Sequence, residues 1–171
     1  MNTLKALIFD VDGTLAETER DGHRPAFNLA FAEHGLPWHW DETRYGRLLE
    51  ITGGKERIRH YIDGWKPEGG EGAIARIPEM HADKTKRYTA LVDAGAAKPR
   101  PGILRIIREA KEAGMPVAIA TTTSFPNVES LIVSTMGPDG MQMFDAVAAG
   151  DVVKHKKPAP DIYLLALEQL G

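Results

Sequence analysis

Residues 4–9 are apolar at nearly every position, the pattern of a strand buried on both faces in a parallel sheet. Gly13, just beyond, favours a strand over a buried helix segment. From about residue 22 to residue 93 the apolar positions recur at helical spacing instead. "RPAFNLAFAEHG" has Pro25 in a first turn and Gly35 as a stop, and "DETRYGRLLEI", "GKERIRHYI" and "PEMHADKTKRYTALVDAG" repeat the theme. "GWKPEGGEG" reads as a Gly-rich loop among them. After "AAKPRPG" the texture changes to a helix near 103–113 stopped by Gly114, the strand "PVAIA" and the polar run "TTTS". A helix in "SFPNVESLIVSTM", a short strand in "FDAVAAG", a loop in "DVVKHKKPAP" and a helix in "DIYLLALEQLG" complete the chain.

Strands that alternate with helices imply an α/β fold with a doubly wound, parallel, Rossmann-like sheet, here interrupted by an all-helical insertion. The expected core is 1–15 with 97–171, and the insertion 16–96, with hinges near 15–19 and 93–101. A chain of 171 residues is long enough for such a core plus a small second domain.

Composition narrows the function. A formal net charge of -3 carries no basic excess, so nothing suggests nucleic acid or an acidic membrane surface as partner. A small phosphorylated substrate needs only local positive charge. The absence of cysteine excludes disulfides, thiolate metal ligands and a cysteine nucleophile, and fits a reducing compartment. No apolar run approaches membrane-spanning length, and "MNTLKALIFD" reads as the start of a strand rather than a signal peptide. The expectation is a cytoplasmic monomer.

Asp10 and Asp12 follow the first strand, one residue apart. In an extended chain both would point to one face, and convergent like charges are costly unless a cation or shared proton relieves them. Ligands of open α/β sheets sit beyond the carboxyl ends of the strands. Asp10, Asp12 and Thr121 all fall at such ends, so one shared site is expected.

"DVDGT" after a buried strand, the Thr closing "VAIAT" and the Lys of "KKPAPD" resemble three of the four motifs of the haloacid-dehalogenase superfamily of phosphohydrolases, in order. The resemblance implies Asp10 as the nucleophile that becomes an aspartyl-phosphate and Asp12 as the general acid/base. It also implies Mg²⁺ held by the Asp10 carboxylate and the Asp12 backbone carbonyl. Gly13 would permit a tight turn. Thr14 reads either as orienting Asp12 or as an ordinary turn residue. The Thr121 hydroxyl and the Thr122 N–H would hold the phosphoryl group, unless "TTTS" merely caps the following helix. Lys157 would screen Asp10 and phosphate, with Lys154 and Lys156 left in solvent.

The insertion resembles the cap of the branch that includes β-phosphoglucomutase and small-sugar phosphatases, which excludes water and supplies specificity. Glu17, Thr18 and His23 are then substrate-binding candidates, Glu17 and His23 being otherwise surface or helix-start residues. Lys55 and Arg57, behind Gly53 and Gly54, would hold a second phosphate or form a solvated helix face. Arg100 is a third candidate for that phosphate. With "FDVDGTLAETERDGHRPAFN", "ITGGKERI" and "AIATTTS", the whole chain looks most like the CbbY-type phosphatases. Known members of that family convert xylulose-1,5-bisphosphate, a misfire product and inhibitor of Rubisco, to xylulose 5-phosphate. The alternatives are a phosphosugar mutase or a non-catalytic phosphosugar-binding module. The family's fourth motif, an acidic pair that completes the metal site, would fall after Gly171. The chain is therefore expected to lack the C-terminal part of the core and to expose apolar faces such as that of "IYLLALEQL".

Overall fold

Three short parallel strands, β1 (Leu7–Phe9), β2 (Val117–Thr121) and β3 (Ala146–Ala149), form a sheet in the order β1-β2-β3. Leu7 lies opposite Val117, and Thr121 opposite Ala149. The structure, a computed structural model, describes residues 4–150 and 152–171. It divides into two units, the chain up to Thr18 with Ala97–Gly171, and Glu19–Ala96. Every residue of β2 is buried. β1 is shorter than the apolar run that announces it and only half-buried.

The remaining elements of the first unit are α6 (Ile103–Glu112), α7 (Phe125–Met136) and α8 (Asp161–Leu170). Alternation along the strands sends Ala118, Ala120, Ala146 and Ala148 to one face, where Ile162 and Ala166 of α8 pack on them. The small side chains let the helix approach closely. Tyr163, Leu164 and Leu167 of α8 are among the exposed large apolar side chains, as expected for that helix.

Asp145 ties the sheet to α6. Its carboxylate accepts Lys111 Nζ at 2.6 Å and the Val117 N–H at 2.8 Å. These bonds, the lysine's first, hold its pKa below the ordinary 3.8. A depressed folded pKa contributes stability above 3.8 that is lost as the pH falls through the folded value. Asp145→Asn is therefore expected to unfold at lower urea than the parent near neutrality, with the gap closing in acid below 3.8. A gap that stays constant with pH would rule this out.

The second unit is helical: a π-helical turn (Glu19–His23), α1 (Arg24–Glu33), α2 (Glu42–Leu48), α3 (Gly54–Trp65), α4 (Gly70–Ala73) and α5 (Ile77–Asp93). Pro25 occupies the first turn of α1. The expected loop "GWKPEGGEG" instead includes the end of α3 and the one-turn α4, whose Ala73 is buried in the unit's core. That core is aromatic. Trp40 is fully buried with its ring 4.8 Å from both Phe27 and Phe31 and 5.4 Å from Tyr61. The Asn28 amide bonds both the N–H and the C=O of Trp40, fixing the loop that carries it. No described helix is long and apolar enough to cross a membrane.

Candidate functional site

β1 ends at Phe9, and the chain then coils tightly, the Val11 carbonyl accepting the N–H groups of Thr14 at 3.1 Å and Leu15 at 2.9 Å. Gly13 sits at φ 73, a left-handed conformation that costs an L-residue but not glycine. The coil gives the two carboxylates separate partners. Asp10 Oδ1 lies 2.9 Å from Lys157 Nζ. Asp12 Oδ1 accepts the Thr18 hydroxyl at 2.5 Å, and Asp12 Oδ2 accepts the Thr123 hydroxyl. The hydroxyls that the structure places on Asp12 thus come from Thr18 and Thr123 rather than Thr14.

Lys157 Nζ also donates to the Ala120 carbonyl at 2.9 Å and lies 5.0 Å from the centre of the Tyr163 ring. Of the three neighbouring lysines this is the one brought to Asp10; Lys154 is exposed. Thr121, 1% exposed at the end of β2, accepts the Thr123 N–H on its hydroxyl at 3.2 Å. Thr122 follows it, half-buried. Ser124 is the N-cap residue of α7, with no side-chain capping bond.

The two linker segments pair with each other. Ala16 bridges Pro99, the Glu17 N–H donates to the Lys98 carbonyl at 3.2 Å, and the Arg100 N–H to the Leu15 carbonyl at 2.9 Å. The Arg100 side chain donates to the Gly13 carbonyl at 2.8 Å and to the Glu17 carboxylate. In this arrangement Arg100 is bonded to the turn after Asp12. A long cation in a linker reaches whichever carbonyl the backbone leaves nearby, which its position in the chain does not reveal.

Three further candidates belong to the helical unit. His23 is buried, its Nδ1 2.6 Å from Lys84 Nζ and its ring stacked at 4.0 Å on Tyr88. Lys55 is half-buried at the start of α3. A Cβ at Gly54 beside it would lie 2.4 Å from His81 Nε2, so that side chain would have to move. Arg57, 8% exposed, donates to the carbonyls of Leu48 at 3.0 Å and Ile51 at 3.3 Å and to the Tyr45 hydroxyl at 2.9 Å. It is not a solvated face; it holds the unit's own loop, and Tyr45 passes the chain on to Glu19 at 2.5 Å.

Sequence reasoning missed Lys84, Thr123 and Tyr163. Lys84 carried a legible signal, because Ile77, Met80, Lys84, Tyr88 and Val92 form the buried stripe of α5, and a lysine in an apolar stripe must be satisfied inside. Thr123 and Tyr163 had none: the first is one of three consecutive threonines, the second one aromatic on an apolar helix.

Among the described residues no three His, Cys, Asp or Glu side chains form a metal-holding group. Mg²⁺ takes one or two carboxylates, with waters and substrate phosphate completing its shell. The donors present fit that pattern: Asp10 has a carboxylate oxygen outside its ion pair, and the Asp12 backbone carbonyl that the family resemblance implies is the kind of hard oxygen Mg²⁺ takes.

The chain matches the haloacid dehalogenase-like hydrolase model over residues 4–171. It is 51% identical over 170 residues to the plasmid-encoded protein CbbY of Cupriavidus necator, covering 98% of this chain and 66% of that one. To protein CbbY of Cereibacter sphaeroides it is 50% identical, covering 98% of this chain and 71% of the relative. Among solved structures, CbbY from Rhodobacter sphaeroides in complex with phosphate matches with a TM-score of 0.91 at 49% identity, covering 98% of this chain and 73% of that one. A mutant of that protein in complex with xylulose-(1,5)bisphosphate matches equally well. The chain spans about two thirds of the length of these curated relatives. A family model matched almost from end to end, together with half the residues shared with CbbY proteins, places this chain in the haloacid dehalogenase-like hydrolase family, closely related to its CbbY-type phosphatases.

Proposed function

We propose that the chain carries the catalytic centre of a sugar-bisphosphate phosphatase that works through an aspartyl-phosphate, converting xylulose-1,5-bisphosphate to xylulose 5-phosphate. The observation that carries this reading is the pairing of Asp10 with Lys157 beside an Asp12 held on both oxygens, at the carboxyl ends of β1 and β2. The relative solved with xylulose-(1,5)bisphosphate supports the choice of substrate.

The Asp10 carboxylate attacks phosphorus while Asp12 gives a proton to the departing sugar oxygen, so the P–O bond to the sugar breaks as the P–O bond to Asp10 forms. Asp12, now ionised, takes a proton from water, whose oxygen attacks phosphorus and frees inorganic phosphate and the Asp10 carboxylate. Lys157 keeps a positive charge beside Asp10 while the dianionic phosphoryl group arrives, and the Thr121 hydroxyl with the Thr122 N–H holds the phosphoryl oxygens. Mg²⁺, bound by the Asp10 carboxylate and the Asp12 carbonyl, would neutralise charge on those oxygens. Glu17, Thr18 and His23 stay with the sugar and the acid/base as positioning groups. Lys55, at the start of α3, is retained as the cation for the second phosphate.

The test is phosphate release by the full-length protein with Mg²⁺ from xylulose-1,5-bisphosphate beside β-glucose 1-phosphate. Selective release from the bisphosphate is the expected result. Isomerised sugar phosphate without release would establish a mutase, and binding without turnover of either would overturn catalysis.

A further inference from the structure

Asp12 hangs from a single Cβ, and an unrestrained carboxylate there would sample several rotamers. The structure instead fixes one oxygen on each of two hydroxyls that come from different segments. Thr18, fully buried just before the helical unit, takes Oδ1; Thr123, in the loop after β2, takes Oδ2. The loop position of Thr123 is itself set, since its N–H is bonded to the buried Thr121 hydroxyl at 3.2 Å. Its hydroxyl is not used as a cap, because the N-cap of α7 is Ser124.

We infer that Thr123 is a positioning residue for the general acid: it acts through Asp12, aligning the carboxylate with the leaving oxygen, and not on the transferring phosphoryl group. The inference rests on the phosphatase reading above. A proton donor must lie within hydrogen-bond reach of the oxygen it serves, and a misplacement of about 1 Å costs about 100-fold in rate. Thr123 thereby links the strand that supplies the phosphate-binding threonine to the side chain that serves the sugar.

The experiment compares a sugar phosphate, whose alkoxide needs a proton on leaving, with p-nitrophenyl phosphate, whose phenolate does not. In the full-length protein with Mg²⁺, Thr123→Val is expected to lower kcat on the sugar bisphosphate about 100-fold with KM changed less than about threefold. The rate of the first p-nitrophenol burst, which reports Asp10 attack alone, should stay within about threefold of the parent. Thr123→Ser, which keeps the hydroxyl, should restore the sugar reaction, and Thr123→Val combined with Asp12→Asn should lose no more than Asp12→Asn alone. Thr123→Ala carries the same comparison if the valine variant does not fold. Equal losses on both substrates, an unchanged sugar reaction, or a full additional loss on top of Asp12→Asn would overturn the inference while leaving the phosphatase reading intact. A parent that releases phosphate from neither substrate would overturn both.

Discussion

Asp10→Asn is expected to lower turnover by about 10⁴-fold or more while the protein stays folded and still binds substrate. The amide matches the carboxylate in shape, so the tight turn held by the Val11 carbonyl survives. What disappears is the anionic oxygen that the proposed mechanism uses to form the bond to phosphorus, and an amide oxygen is a poor substitute. The lost ion pair with Lys157 costs little stability, about 1 kcal/mol at most, because Asp10 is 39% exposed and water screens such pairs. Removing one negative charge also relieves repulsion against the incoming phosphate, so affinity for the bisphosphate should hold or improve. Calorimetric titration of the variant with intact substrate, with phosphate release followed over hours, measures both. Turnover within tenfold of the parent would exclude a covalent intermediate on Asp10.

Lys157→Met should lower kcat by about 100- to 1,000-fold with a smaller effect on KM, since its charge matters most as the phosphoryl group meets Asp10. The side chain is held by Asp10, the Ala120 carbonyl and the Tyr163 ring, which together fix a compact ammonium group. Arginine would not restore the rate, because a planar fork does not fit a position shaped for a point charge. Folding stability should change by less than about 1 kcal/mol, given the partial exposure of the pair. A Lys157→Arg protein as fast as the parent would show that any nearby cation suffices.

The hydrophobic pattern, with Pro25, Gly35 and Gly114 as punctuation, marks the strands, helices and helical insertion because these signals are local. Asp10 and Thr121 were legible for a related reason. Both sit at strand ends, and in an α/β sheet parallel strands bring those ends to one edge. Lys157 was legible only as a motif. What the tertiary structure alone decided is where long and polar side chains end. Arg57 lies one residue from Ile58 on α3 and is drawn inside with it, where its guanidinium satisfies loop carbonyls. Arg100 reaches the turn after Asp12 because the two linkers pair there. Thr123, rather than a neighbouring threonine, meets Asp12 because the loop after β2 turns its hydroxyl that way. Spacing along the chain determines which face a residue occupies, but the partner of a side chain several bonds long depends on which distant backbone is packed against that face.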